Sequence, residues 1–389
     1  MIRVAINPEL IRWARKRAGF AQEDLTGKFA KLPQWETGEV RPTLKQVVAF
    51  ARSVHVPEGY LFLGEPPEES SPIPDFRTVA GRTVTRPSPN LLDTIYACQE
   101  RQSWYREFAR VGGQATLDFV GSASVGSANV DTPPETAAAG MREVLRFDVG
   151  DREECRTWED ALRLFVQRAE DAGVLVMVSG VVLSNNRRRL DPEEFRGFAL
   201  SDPLAPLVFV NGSDTKAAQM FTLAHELAHL WLGVSALSDL AAEPPHGARR
   251  EEAWCNAAAA EFLVPLDALS LELRSDEPPL DAASRLARAF KVSTLVVLRR
   301  LLDARRLDRA TFEQLWADEA GRLRQLARDR DPGGDFYRTT LVRVSRRFTR
   351  ALVVSTLEGQ TLYRDAFRML GVSKADAFMK LGREAGVVE

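Results

Sequence analysis

Thr222-Leu-Ala-His-Glu-Leu-Ala-His-Leu-Trp-Leu-Gly233 is the stretch on which the reading of this chain turns. Residues four apart on a helix lie one above the other, so His225 and His229 leave the same face. Two neutral imidazoles so placed can take two corners of a tetrahedral zinc site. Glu226 follows about 100° further round the helix, close enough to reach a water there without being a ligand. The segment has the ends of a helix: Ser213 or Asp214 can cap its start, and Gly233 can close it. The chain has four histidines, and two of them stand here.

A catalytic zinc needs a third protein ligand and an open fourth position. Arg249-Arg-Glu-Glu-Ala-Trp-Cys-Asn-Ala-Ala-Ala-Ala-Glu-Phe-Leu-Val-Pro265 reads as a second helix, halted before its proline. Its run Ala257 to Ala260 lets another helix come close. Glu251 and Glu252 stand near its start, and either can offer a carboxylate. Asn256 lies one turn beyond Glu252, placed to orient a liganding imidazole. First-turn acids are also favoured by the helix dipole alone. Spacing leaves the third ligand open.

His225-Glu226-x-x-His229, followed by Glu252-x-x-Cys255-Asn256 and Glu261-Phe-Leu-Val-Pro265, resembles the ImmA/IrrE family of metallo-endopeptidases. The resemblance extends to the strand pair Phe195–Leu200 and Pro206–Asn211, and covers residues 131–268. It implies a zincin-like domain, a Zn2+ cofactor, and Glu252 as the third ligand. The chemistry is then metal-assisted peptide hydrolysis, with Glu226 taking the proton of the attacking water and delivering it to the leaving amine. The oxyanion also needs a donor. His246, in the loop between the two ligand segments, is the candidate. Described members cleave a repressor, which implies a protein substrate here, encoded nearby. A strand near Gly197 would offer an outer edge on which an extended peptide can pair.

Composition narrows the classes. With 45% hydrophobic and 27% charged residues in 389, this is an ordinary globular chain with room for two or three domains. A net charge of −2 builds no field that demands nucleic acid or an anionic membrane. Cys98, Cys155 and Cys255 are odd in number and scattered, which fits a reducing cytoplasm. The first residues lack the apolar core of a signal peptide, and no apolar run reaches membrane-spanning length.

Residues 1–66 carry four short helical patterns. Gln22, Trp35, Glu36, Gly38 and Pro42 resemble the landmarks of the Xre-type helix-turn-helix domain. The interval between Leu25 and Trp35 is about four residues shorter than that family's recognition region, and it contains Pro33, which breaks or shortens a helix. Residues 1–65 hold ten Lys or Arg against seven Asp or Glu, so few phosphate contacts are on offer. DNA is the second candidate partner, behind a docked protein.

Residues 67–130 read as a linker and a connecting helix from Asn90 to Val111. Before the HExxH helix come helical patterns at Pro134–Leu145 and Trp158–Ala172, a strand-like run Gly173–Val182, and a charged turn Asn185–Arg189. After Pro265 the pattern is helical throughout. Arg343, Arg346, Arg347 and Arg350 fall at helical spacing and read as one solvated basic face on Tyr337–Leu357. The expected fold is α+β and mostly helical: a helix-turn-helix bundle (1–66), the arm (67–130), a zincin-like HExxH domain with a small sheet (131–268), and a helical C-terminal region (269–389). The alternative function is a DNA-binding transcriptional regulator or toxin–antitoxin component whose peptidase-like domain acts as a sensor.

Overall fold

The computed structural model describes residues 3–69, 71–74, 78–79, 82–83, 87–123, 132–238, 250–328 and 336–388. It is mostly helical with a small mixed sheet, and it divides into two compact units: Met1–Ser71 with Thr85–Leu92, and Pro72–Val84 with Asp93–Glu389. No described helix is long and apolar enough to cross a membrane.

In the first unit, Asn7 caps the helix Pro8–Arg17 by accepting from Glu9 N at 2.9 Å, with Pro8 at a position that needs no N–H. Helices Gln22–Thr26, Leu32–Thr37 and Leu44–Ser53 close around Phe29, Trp35 and Phe50, whose rings meet at 5.7–6.4 Å. Pro33 falls in the first turn of Leu32–Thr37, so it opens that helix instead of breaking it. Glu36 is buried and accepts from Arg15 Nε at 2.6 Å and Gln22 Nε2 at 2.8 Å. One carboxylate thus fastens three helices.

The second unit is built on four strands: β1 (Leu175–Ser179), β2 (Gly197–Leu200), β3 (Leu207–Asn211) and β4 (Ala236–Ser238). Their order is β1-β3-β2-β4, with β1 parallel to β3 and the other neighbours antiparallel. The strands are apolar and almost continuously buried because both faces are covered. On one face Val176, Val208, Val210 and Ala199 join the core that includes Phe147, Phe165 and the helix Lys216–Leu232. On the other lies the helix Pro89–Val111, where Gln102 donates to the Leu200 and Ala205 carbonyls, each at 2.9 Å.

Two local expectations are corrected. Gly197 does not lie on an open edge: Gly197 to Ala199 pair with Ser238 to Ala236, and Leu237 N donates to Pro74 O at 3.0 Å. A peptide adding to β2 would have to displace β4. Asn185–Arg189 is a strand, not a turn. It pairs with Val181–Val182, and the reversal falls one step earlier, where Leu183 takes φ 53°.

The C-terminal region is helical wherever it is described, but the basic face does not exist as a stripe. The helix breaks at Ser345, which takes φ 69° between Phe336–Val344 and Arg346–Leu357. Arg343 is buried at 9% exposure. Arg347 turns inward, its Nε donating to the Tyr105 hydroxyl at 2.8 Å and its Nη1 to Glu170 O at 3.2 Å. Only Arg346 and Arg350 face solvent.

Glu170 closes this seam. It accepts from Ser345 Oγ and from Arg347 N. Burial pushes its carboxyl up to about 7, although the Ser345 hydroxyl and the Arg347 and Arg346 amides oppose the shift. A carboxyl raised on folding favours the folded state below its unfolded value near 4.5 and loses that contribution as pH rises through about 7. Denaturant melts should therefore show a loss of at most roughly 3 kcal/mol across that window. Glu170→Gln should flatten the curve there; an unchanged slope in the variant would contradict this.

Candidate metal centre

The chain leaves β3 through a locked turn. Asn211 is buried, donates to Phe195 O at 3.0 Å and accepts from Ser213 N. Buried Gln219 donates to the carbonyls of Gly212, at 3.1 Å, and Asp214, at 2.6 Å. The cap of Lys216–Leu232 is Thr215, whose Oγ1 accepts from Ala218 N at 3.2 Å, and neither Ser213 nor Asp214. Gly233, at φ 72°, closes the far end. From Thr222 to Leu232 every residue of this helix is buried, so the surrounding core holds it and not its own propensity.

The second helix, Arg250–Leu263, packs against both Lys216–Leu232 and Pro134–Leu145. Ala258, Ala259 and Ala260 are buried in these contacts. The close approach brings Glu252 onto the two imidazoles. His225 Nε2 and His229 Nε2 lie 3.1 Å apart. Each is 3.2 Å from an oxygen of Glu252, His225 from Oε2 and His229 from Oε1.

That triangle matches a metal. A tetrahedral ion with bonds of about 2.0–2.1 Å has ligand-to-ligand edges of about 3.3 Å. Both histidines are fully buried and Glu252 is 7% exposed. Burial lowers the His229 pKa, against the pull of Glu252, which favours the neutral ring. Burial alone would raise the Glu252 carboxyl, but the hydrogen bonds of His225 and His229, with their charge when the rings are protonated, outweigh it and hold the group well below the usual range. Neutral imidazole and ionised carboxylate are the forms that coordinate zinc. Among the described residues, His225, His229 and Glu252 form the one metal-ligating group of three or more.

Glu226 is fully buried on the same helix, directly under β2. A Cβ at Gly197 would lie 2.9 Å from Glu226 Oε1, 2.6 Å from Thr222 Cγ2 and 2.9 Å from Phe209 O. Only glycine fits there. A glycine inside an apolar strand signals such a close approach, and that signal was available in the sequence. Glu251 is half-buried and stands outside the cluster. Asn256 is half-buried, and among the described residues no hydrogen bond joins it to an imidazole; His225 Nδ1 is sealed without an acceptor. Cys255 is buried, and burial with the nearby Glu252, Glu226 and Glu251 charges keeps its thiol protonated. His246 lies outside the described residues.

One support had no sequence signal. Arg300, on the helix Thr294–Asp303, pairs with Glu261 and donates from Nε to Val264 O at 2.8 Å. Arg142 Nη1 donates to Glu261 O at 2.9 Å. These bonds anchor the end of the Glu252 helix far from the metal site along the chain.

Residues 169–302 match the peptidase M78 family model, described as the IrrE N-terminal-like domain. The match supports the ImmA/IrrE likeness and a metallopeptidase character for this segment. It begins later and ends later than the 131–268 span of the motif resemblance, taking in the helices Pro279–Phe290 and Thr294–Asp303. Residues 344–384 match a domain of unknown function, DUF8813. No curated protein matches the chain.

Proposed function

We propose that this chain is a cytoplasmic zinc endopeptidase that cleaves a regulatory protein, a transcriptional repressor encoded nearby, in a stress, phage or mobile-element response. The observation that carries the reading is the buried triangle of His225, His229 and Glu252, with Glu226 on the same helix. His225, His229 and Glu252 would hold zinc, which supplies Lewis acidity and makes a water acidic near neutral pH. Glu226 takes the proton of the attacking water and returns it to the leaving amine. Packing of β2 over Glu226 keeps bulk water off that carboxylate and fixes its direction.

Such a centre is indifferent to side chains, so selectivity must come from docking, which raises the local concentration of one partner. Residues 1–66 suit that role better than DNA reading. Their second and third helices have five and six residues, and Arg15 and Gln22 are turned onto Glu36. The test uses full-length Glu226→Gln protein as bait for the products of neighbouring genes. It should retain a repressor-type protein that the wild type cleaves. Retention of operator duplex with no protein cleaved would favour the DNA-binding regulator instead.

A further inference from the structure

Two arginines lie inside the second unit on the side of the sheet away from the metal triangle. Arg101, on Pro89–Val111, is 5% exposed, and Arg343, on Phe336–Val344, is 9% exposed. Arg101 Nε donates to Met369 O at 3.0 Å, and its Nη1 lies 3.8 Å from Met177 Sδ on β1. The helix carrying Arg343 packs against β1 and against Ala375–Glu384. Arg343 Nε is sealed from solvent with no acceptor.

Among the described residues, no acid forms an ion pair with either arginine. Burial lowers the pKa of Arg343, and the charge of Arg101 lowers it further. Burial lowers Arg101 as well, against the pull of Cys98 and of the Glu100 charge. Cys98 beside Arg101 is no counter-ion, since burial pushes its thiol up to about 12. Glu100 is paired outward with Arg368, and Glu170 is held by Ser345. The comparably buried Arg300 shows the ordinary solution, two carboxylates, Glu261 and Asp303. Two buried guanidinium charges with no carboxylate of their own are unfavourable unless an anion joins them.

We propose that Arg101 and Arg343 form an internal site for a phosphoryl group, between β1 and the C-terminal helices. Guanidinium forks match phosphate oxygens, and a phosphate dianion balances two positive charges where a single carboxylate leaves one over. The site joins the two matched segments, through Met177 in residues 169–302 and Met369 in residues 344–384. A phosphorylated small ligand bound there would tie one to the other.

Thermal melts of the full-length protein with inorganic phosphate, against chloride at equal ionic strength, test the site. Phosphate should raise the melting midpoint saturably, and chloride should not. Arg343→Met should bind phosphate at least about tenfold more weakly, the loss expected for charged hydrogen bonds. In phosphate-free buffer the same variant should melt no lower than wild type, because it removes an unneutralised charge. Arg343→Lys should keep part of the phosphate response. No saturable shift in wild type, an equal shift in Arg343→Met, or a variant that melts lower or fails to fold without phosphate would each overturn the proposal. A phosphate held at the metal centre would give the equal shift.

Discussion

Glu226→Gln protein should keep its zinc and lose peptide hydrolysis by about 10²–10⁴-fold, the range for removal of a general base. Glutamine keeps the shape of the side chain, so the packing under β2 survives. It cannot accept the proton. Burial at this position leaves no solvent base to replace it. The measurement is single-turnover cleavage of the partner protein beside metal content on the same preparation. Unimpaired cleavage at full zinc loading would show that Glu226 is not the base.

Gly197→Ala should be nearly as damaging, by a different route. The added methyl meets Thr222, Glu226 and the Phe209 carbonyl, all at under 3.0 Å. β2 cannot retreat, because it is paired on both sides. The helix must give way at the turn that carries Glu226. Overpacking of this kind costs about 1–3 kcal/mol of stability, and a base displaced by about 1 Å loses about 10²-fold in rate. Zinc should be held more weakly as well, since His225 stands on the same turn as Glu226. Normal rates in Gly197→Ala would mean that β2 does not position Glu226.

The local parts of the site were legible in the sequence. The four-residue spacing of His225 and His229 puts both on one face, and Gly233 and Pro265 mark the helix ends. What depends on how helices cross was not. Spacing offered Glu251 and Glu252 equally, and only the packing of the alanine face on the HExxH helix turns Glu252 to the imidazoles. Strand edges were hidden for the same reason: β4 has three residues and follows a glycine cap, so no periodicity announces that it covers β2.

Arginine misled most. Arg343, Arg346, Arg347 and Arg350 share a helical period in sequence, yet Ser345 breaks the helix between them. A left-handed serine carries no pattern that a periodicity argument can see, because serine there is uncommon. The fold therefore takes Arg343 and Arg347 inward and leaves the other two outside. Arg300 was equally silent as a support, since it acts through Glu261 and Val264, both distant in sequence.

Zinc content in three purified proteins tests the central claim most directly. Wild type should hold about one zinc per chain, as a single three-ligand site allows. Glu252→Ala should be empty, and Glu251→Ala should stay loaded. A wild type without zinc, or a site emptied by Glu251→Ala and kept by Glu252→Ala, would contradict the account.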